Sequence, residues 1–451
     1  MYQKVLSDYF KIALSIGLSL LIWFMIKSTD VKGSVEVAND FIYFVQLGIF
    51  VFYYMVLIYY SKGDSVLNKN KILLILLINS IVFVSLIKYS FYLYNGTLLE
   101  YTSADSYYYD LYTREIISGD IVTGIRYLFN ELEYSDWGFF IYTTLVYSIY
   151  PSEIMLSFAN ILISLVAANF LYELVRRVLP QRLTGLTILI IFMSSYFLYY
   201  QASGLKEIFF VTVVLGFFYR AQLLYERPGL INFVVLILFA LPIALLRPPV
   251  LVFGMIAISI VYIRSIFKNP FYAILLVIVM IFLGLGFAEI TNLYSRFFPS
   301  IDDIAIRRQS AVKLGGSVSM TYIIGTLSGF FGPFPSFYFV GKENVFLFSS
   351  GLMLRVLLGY FFFYGIFQIY KKRNYVLLPL GVFTILEIIS LSAIMEAFEL
   401  RLNMPHLPFI VVIAIFGIYT RFQESRILQT RIVEYVSVIG LILIILFWAF
   451  R

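Results

Sequence analysis

The sequence predicts an all-α protein that crosses a membrane many times. Three observations predict it. Of 451 residues, 61% are hydrophobic and only 13% charged, whereas a soluble domain carries about a quarter charged residues; no water-facing shell can be built from this composition. The apolar residues come in runs of roughly 17–23, the length that carries a helix across a hydrocarbon core of about 30 Å. The short basic turns between runs all fall on one side when the runs are threaded back and forth, the signature of loops retained in the cytoplasm.

Taken in order, spans are expected near 10–27, 41–61, 72–94, 153–175, 184–201, 207–225, 231–246, 249–266, 270–290, 350–370, 375–395, 405–421 and 432–450, about thirteen in a single membrane domain covering 1–451. The opening "MYQKVLSDYFKIALSIGLSLLIWFMIK" has no A-x-A-type cleavage site and reads as a retained anchor. The turns "SKGDSVLNKNK", "RRVLPQR", "YRAQLLYER", "RSIFKN", "KKR" and "RFQESRILQTR" are basic. They join Lys4 and Lys11 on the cytoplasmic side and leave Arg451 outside. Residues 137–150 are apolar but only 14 long, and crossing there would move Arg176, Arg177 and Arg182 outside. An interfacial helix fits better, and likewise for the Gly- and Pro-broken 319–336. Two outer regions follow, 95–152 and 291–349, each with interfacial helices.

Several chemistries are excluded. With no Cys there are no disulfides or thiolates, and one His, His406, rules out His-rich metal sites. No metal-ligand motif is present, and a divalent-metal requirement stays open. The net charge of +7 sits mostly in the turns and is no nucleic-acid signal. There is no G-x-x-x-x-G-K-[ST] loop for nucleotide-driven transport. No internal repeat stands out, which weakens a secondary-transporter reading.

The candidate chemistry lies at the outer ends. In "YTSADSYYYDLYTREI", Asp105, Tyr109 and Tyr112 share a helix face by their spacing. Asp110 and Arg114 stand at i,i+4, a routine helix ion pair. Asp105 has no partner within helical reach; it is either a general base desolvated at the lipid boundary or a solvated acid or cap. The tyrosines are either interface anchors or part of the site. Lys206 and Glu207 sit at a tight outer turn, placed for an anionic head group or as snorkelling boundary charges. Arg247 in "LLRPPVL" occupies an outer turn, where cations are depleted; it is either a structural residue or one that meets a lipid-linked phosphate. Asp302 and Asp303 precede Arg307, Arg308 and Lys313, with Gly315 and Gly316 behind them. Arg401 and His406 flank the start of the 405–421 span, and Glu387 inside a span requires a partner or a wet cavity. This gathering of acids and cations suits an anionic, lipid-linked substrate.

The chain resembles the GT-C superfamily of membrane glycosyltransferases. "ADSYYYDLYTREI" resembles that family's first outer loop, and "SDWGFFIYTTLVYSIYPSE" the juxtamembrane segment after it. "LYELVRRVLP" and "LLRPP" resemble its basic turns, and "RLNMPHLPFIVVIAIFGIY" its R-x-x-x-P-x-x-P-F ending. The region "RRQSAVKLGG" to "FFGPFPSF" is similar to O-antigen-polymerase-like chains. The present sequence differs in placing three spans before the acidic loop and in separating Asp105 from Asp110. The resemblance implies a GT-C-like fold with Asp105 as catalytic base, Asp110 beside it, and Lys206, Arg247 and Arg401 on the phosphate. Arg114, Glu207, Arg307, Arg308 and His406 complete the expected substrate site. It also implies a polyprenyl-phosphate-linked saccharide as substrate, the bacterial inner membrane as location, an outward-facing active side, and other polysaccharide-assembly proteins as partners. Repeat-unit polymerisation is the close variant; a lipid-linked oligosaccharide flippase is the competitor from another class.

Overall fold

The computed structural model describes residues 2–28, 36–63, 67–100, 104–131, 136–266, 326, 329–330, 344–393 and 400–423. Among these, the regular structure is helical throughout and no strand occurs. The helices are α1 (Tyr2–Ser28), α2 (Glu36–Lys62), α3 (Lys69–Asn95), α4 (Ala104–Ser118), α5 (Ile121–Glu131), α6 (Trp137–Tyr147), α7 (Glu153–Val175) and α8 (Gln181–Phe192). They continue as α9 (Ser195–Ser203), α10 (Glu207–Glu226), α11 (Leu230–Ala244), α12 (Pro248–Ile266), α13 (Asn344–Lys372), α14 (Leu378–Ala393), α15 (Leu400–Asn403) and α16 (Leu407–Gln423).

Four stretches are long and apolar enough to cross a membrane: Phe44–Lys62, Lys69–Leu93, Glu153–Val175 and Glu207–Glu226. A fifth arises if α8 and α9, bent by 51° at their junction, count as one span. These match expected spans. The apolar helices Leu230–Ala244 and Leu407–Gln423 also lie where spans are expected but are shorter, so thirteen crossings are not established. The expected spans near 270–290 and 432–450, the outer region 291–349 except a few of its residues, and Arg307 and Arg308 lie outside the described residues.

Burial supports the membrane assignment. Helix α3 turns Leu74, Ile78, Ile81 and Val82 outward, and α7 does the same with Ile154, Phe158 and Leu162. Such apolar outer faces suit lipid. The polar residues point inward instead: Gln201 donates to Ser164 Oγ at 2.8 Å, and Tyr142 donates to Asn160 Oδ1 at 2.9 Å. Helix α6, at 11 residues, is about 16 Å long and too short to span, as the basic-turn argument expects.

The bundle has two distinct ends. At one, Lys69 pairs with Glu173 (3.1 Å), Arg177 with Glu226 (2.7 Å), and Arg182 donates to the Ser61 carbonyl (2.9 Å). Three of the basic turns therefore interlock there. At the other, Arg114 pairs with Glu153 (3.0 Å), and the Gly138 amide donates to the Leu245 carbonyl (3.3 Å).

Candidate functional site

Local sequence signals deliver chain to that second end. Helix α3 stops at Gly96, which adopts φ +71° and donates its amide to the Tyr92 carbonyl; only glycine takes this left-handed cap without strain. The chain then runs through Leu98 to Glu100. Gly204, at φ +78°, ends α9 likewise and turns the chain into Lys206 and Glu207. Pro248 and Pro249 open α12 and hold Arg247 at the preceding turn.

Helix α4 brings the aromatic–acidic stretch over this end. Tyr109 is buried, with its ring 4.8 Å from Phe139 of α6, and its hydroxyl donates to Asp136 Oδ1 at 2.8 Å. Burial first, and then the Asp136 carboxylate, push the Tyr109 hydroxyl well above its ordinary range, so it remains a donor. Tyr108 and Tyr112 pack edge-on at 4.4 Å, and Tyr107 alone of the run is well exposed. The Tyr108 and Tyr109 rings thus join α4 to α6, and Tyr112 also stacks on Tyr127 of α5.

Three acid–cation pairs and one acid–tyrosine hydrogen bond lie here. Asp105 and Arg401, 296 positions apart, pair at 2.5 Å. Their side chains are 47% and 42% exposed. Lys206 pairs with Asp136 at 2.5 Å and is mostly enclosed. Arg247 lies 3.6 Å from the buried Glu207 and 5.0 Å over the Phe210 ring, a looser arrangement. Glu100, also buried, accepts from the Tyr199 hydroxyl at 2.7 Å. Loss of water pushes the Glu100 carboxyl up to about 8; the Tyr199 bond opposes this, Glu207 and Asp105 add to it, and Arg401 opposes it. These mutual influences place the Asp105–Arg401, Glu207 and Glu100 groups in one electrostatic neighbourhood.

Asp110 and Arg114 are built into the scaffold. Arg114 Nε binds Asp110 (2.8 Å), Nη2 binds Glu153 (3.0 Å), Nη1 binds the Pro151 carbonyl (3.1 Å), and the guanidinium lies 5.4 Å over the Tyr147 ring. The Tyr147 hydroxyl occupies the other oxygen of Asp110 at 2.5 Å. The expected i,i+4 pair forms, and its members clamp α4 to α6 and α7.

The structure places His406 apart from this cluster. It is fully buried, with Nδ1 3.1 Å from Glu387 Oε2. The two side chains are thus within ion-pair distance, while Glu387 Oε2 and His406 Nδ1 make no hydrogen bond. Arg355 of α13 is equally enclosed; Nη2 donates to the Gly329 carbonyl, while Nε and Nη1 have no hydrogen-bond partner.

Three residues escaped the sequence reading. Asp136 looks like a cap before α6 but makes no side-chain cap bond, serving Lys206 and Tyr109 instead. Glu100 follows the third span without a motif. Lys88 is the charge within that span, a signal the spacing offered. Among the described residues no group of three or more His, Cys, Asp and Glu is placed to hold a metal ion. Compared with known proteins, the chain matches no family model, no curated protein and no solved structure.

Proposed function

We propose that this chain is a membrane glycosyltransferase. It moves a sugar or oligosaccharide from a polyprenyl-(di)phosphate donor to an acceptor hydroxyl at the outer face of a bacterial inner membrane, in surface-polysaccharide assembly. Joining whole repeat units is the same chemistry with a lipid-linked acceptor. The observation that carries this reading is the half-exposed Asp105–Arg401 pair, with the buried Glu207 within electrostatic reach of Arg247, Lys206 and Arg401.

In this reading the donor phosphate displaces Asp105 from Arg401 and frees the carboxylate as the substrate arrives. Asp105 takes the acceptor proton. The acceptor oxygen bonds to the anomeric carbon while the sugar–phosphate bond breaks, and the phosphate leaves with the electron pair. Arg401 and Arg247 lower the energy of the charge that develops on it. The test is transfer by the purified chain in bilayers holding a polyprenyl-diphosphate-linked saccharide. Asp105→Asn is expected to slow transfer by about 100-fold or more, and Arg401→Ala comparably, with folding kept. Undiminished transfer by Asp105→Asn, or none by the unaltered chain with either a soluble or a lipid-linked acceptor, overturns the reading.

A second reading, translocation of a lipid-linked saccharide, is favoured by the 51° break between α8 and α9 together with the enclosed, half-satisfied Arg355. It predicts movement of the lipid-linked saccharide across vesicle membranes without any bond being made or broken, and its loss in Arg355→Met.

A further inference from the structure

A cavity of about 650 Å³ lies between the C-terminal part of α3, with the turn after it, and the N-terminal part of α7. Its walls are largely carbon, including Ile81, Val84 and Phe158. Ile81 and Phe158 are each 44% exposed, so the groove opens sideways, onto the surface that faces lipid. One charged side chain lines it: Lys88, itself only 6% exposed.

The Lys88 ammonium donates to the Leu98 carbonyl at 2.7 Å. It has three N–H groups, and no carboxylate among the described residues lies within ion-pair distance. The acids whose charge it senses, Glu153, Asp110 and Glu100, are bonded elsewhere: Glu153 and Asp110 to Arg114, Glu100 to Tyr199. A desolvated cation with no counter-ion in contact is costly. The groove therefore offers a place for an anion that arrives from the bilayer on a hydrocarbon chain.

We infer that the α3–α7 groove binds an isoprenoid phosphate laterally, its chain along Ile81, Val84 and Phe158 and its phosphate on the free N–H groups of Lys88. The choice of an isoprenoid phosphate over bulk phospholipid rests on the function proposed above. The local geometry agrees with it: Leu98, which holds Lys88, lies two residues before Glu100, so a phosphate there would stand beside the candidate site.

The test measures binding, not transfer. The full chain, in nanodiscs of zwitterionic phosphatidylcholine, is titrated with a polyprenyl monophosphate, the matching uncharged polyprenol, and phosphatidylglycerol, using native mass spectrometry and thermal shift. The unaltered chain is expected to hold the monophosphate at least about tenfold more tightly than the other two. Lys88→Met is expected to abolish that preference and Lys88→Arg to keep it. Ser85→Trp, at an exposed position lining the groove, is expected to exclude the lipid while leaving the lipid-free melting temperature unchanged. Equal binding to Lys88→Met, or to Ser85→Trp, overturns the inference. Phosphatidylglycerol competing equally shows a general anionic-lipid site and overturns it too. Selective binding by a chain that never transfers sugar would sink the function above and leave this site standing. Transfer with no Lys88-dependent binding would do the reverse.

Discussion

Lys206 and Arg401 each meet a carboxylate at 2.5 Å, yet their burial separates them. Removing Lys206 leaves an enclosed Asp136 with Tyr109 as its described donor, so Lys206→Ala should cost roughly 3 kcal/mol of stability. Arg401→Ala breaks a half-exposed pair and should cost under about 1 kcal/mol. Thermal unfolding in detergent checks both, and equal losses would contradict the contrast. Glu100 gives a pH prediction. Its carboxyl, pushed from the ordinary 4.5 to about 8 in the folded chain, holds a proton that the unfolded chain has already released between those values. Stability from this group is therefore full below about 4.5 and is lost as pH rises toward 8. Glu100→Gln should flatten the fall of melting temperature across that window; an unchanged slope would show that Glu100 does not carry it. At this scale the sequence was legible for local pairs only. Asp110–Arg114 follows from spacing, whereas Asp105 and Arg401 are brought together by tertiary folding that no spacing rule encodes. Likewise the tyrosine run displayed its composition but not that Tyr109 would be buried against α6.

Among the elements, α13 and α16 pack backbone against backbone, and glycine is the reason. A Cβ on Gly365 would fall 2.2 Å from the Ile413 carbonyl oxygen, and one on Gly417 2.3 Å from that of Phe361. Both obstacles are backbone, so they cannot rotate away; the small residues let the two helices touch. Gly417→Ala should therefore cost about 1–3 kcal/mol, visible as a lowered melting temperature, and an unaffected value would mean the helices do not pack as described. Long periodic stretches such as α3, α7 and α10 were readable nearly to their ends because length and apolarity alone define a span. The 184–201 stretch was expected as a span and is built from two helices bent by 51°. The break falls at Met193 and Ser194 in "IIFMSSYF", where the Ser194 hydroxyl bonds the Ile191 carbonyl at 2.5 Å. A serine pair competing for backbone acceptors is a physical cause of kinking that hydropathy does not register.

For the whole molecule, the organising feature is the difference between the interlocked basic end and the mixed acid–cation end. The absence of cysteine makes sidedness measurable with single introduced thiols. Tyr150→Cys, exposed beside α6 at the acid–cation end, should react in intact cells with a membrane-impermeant maleimide, and Lys371→Cys at the close of α13 only after lysis. The reverse pattern would put the site in the cytosol. The two-ended design was legible from the turns, because basic residues are sorted by side; the groove between α3 and α7 was not, since it depends on how far two apolar helices part. The most direct test of the account is the fate of lipid-linked saccharide in cells carrying Asp105→Asn. Surface polymer is expected to disappear while intact lipid-linked units accumulate on the outer leaflet. Polymer made at the normal rate, or units trapped on the inner leaflet, would contradict it.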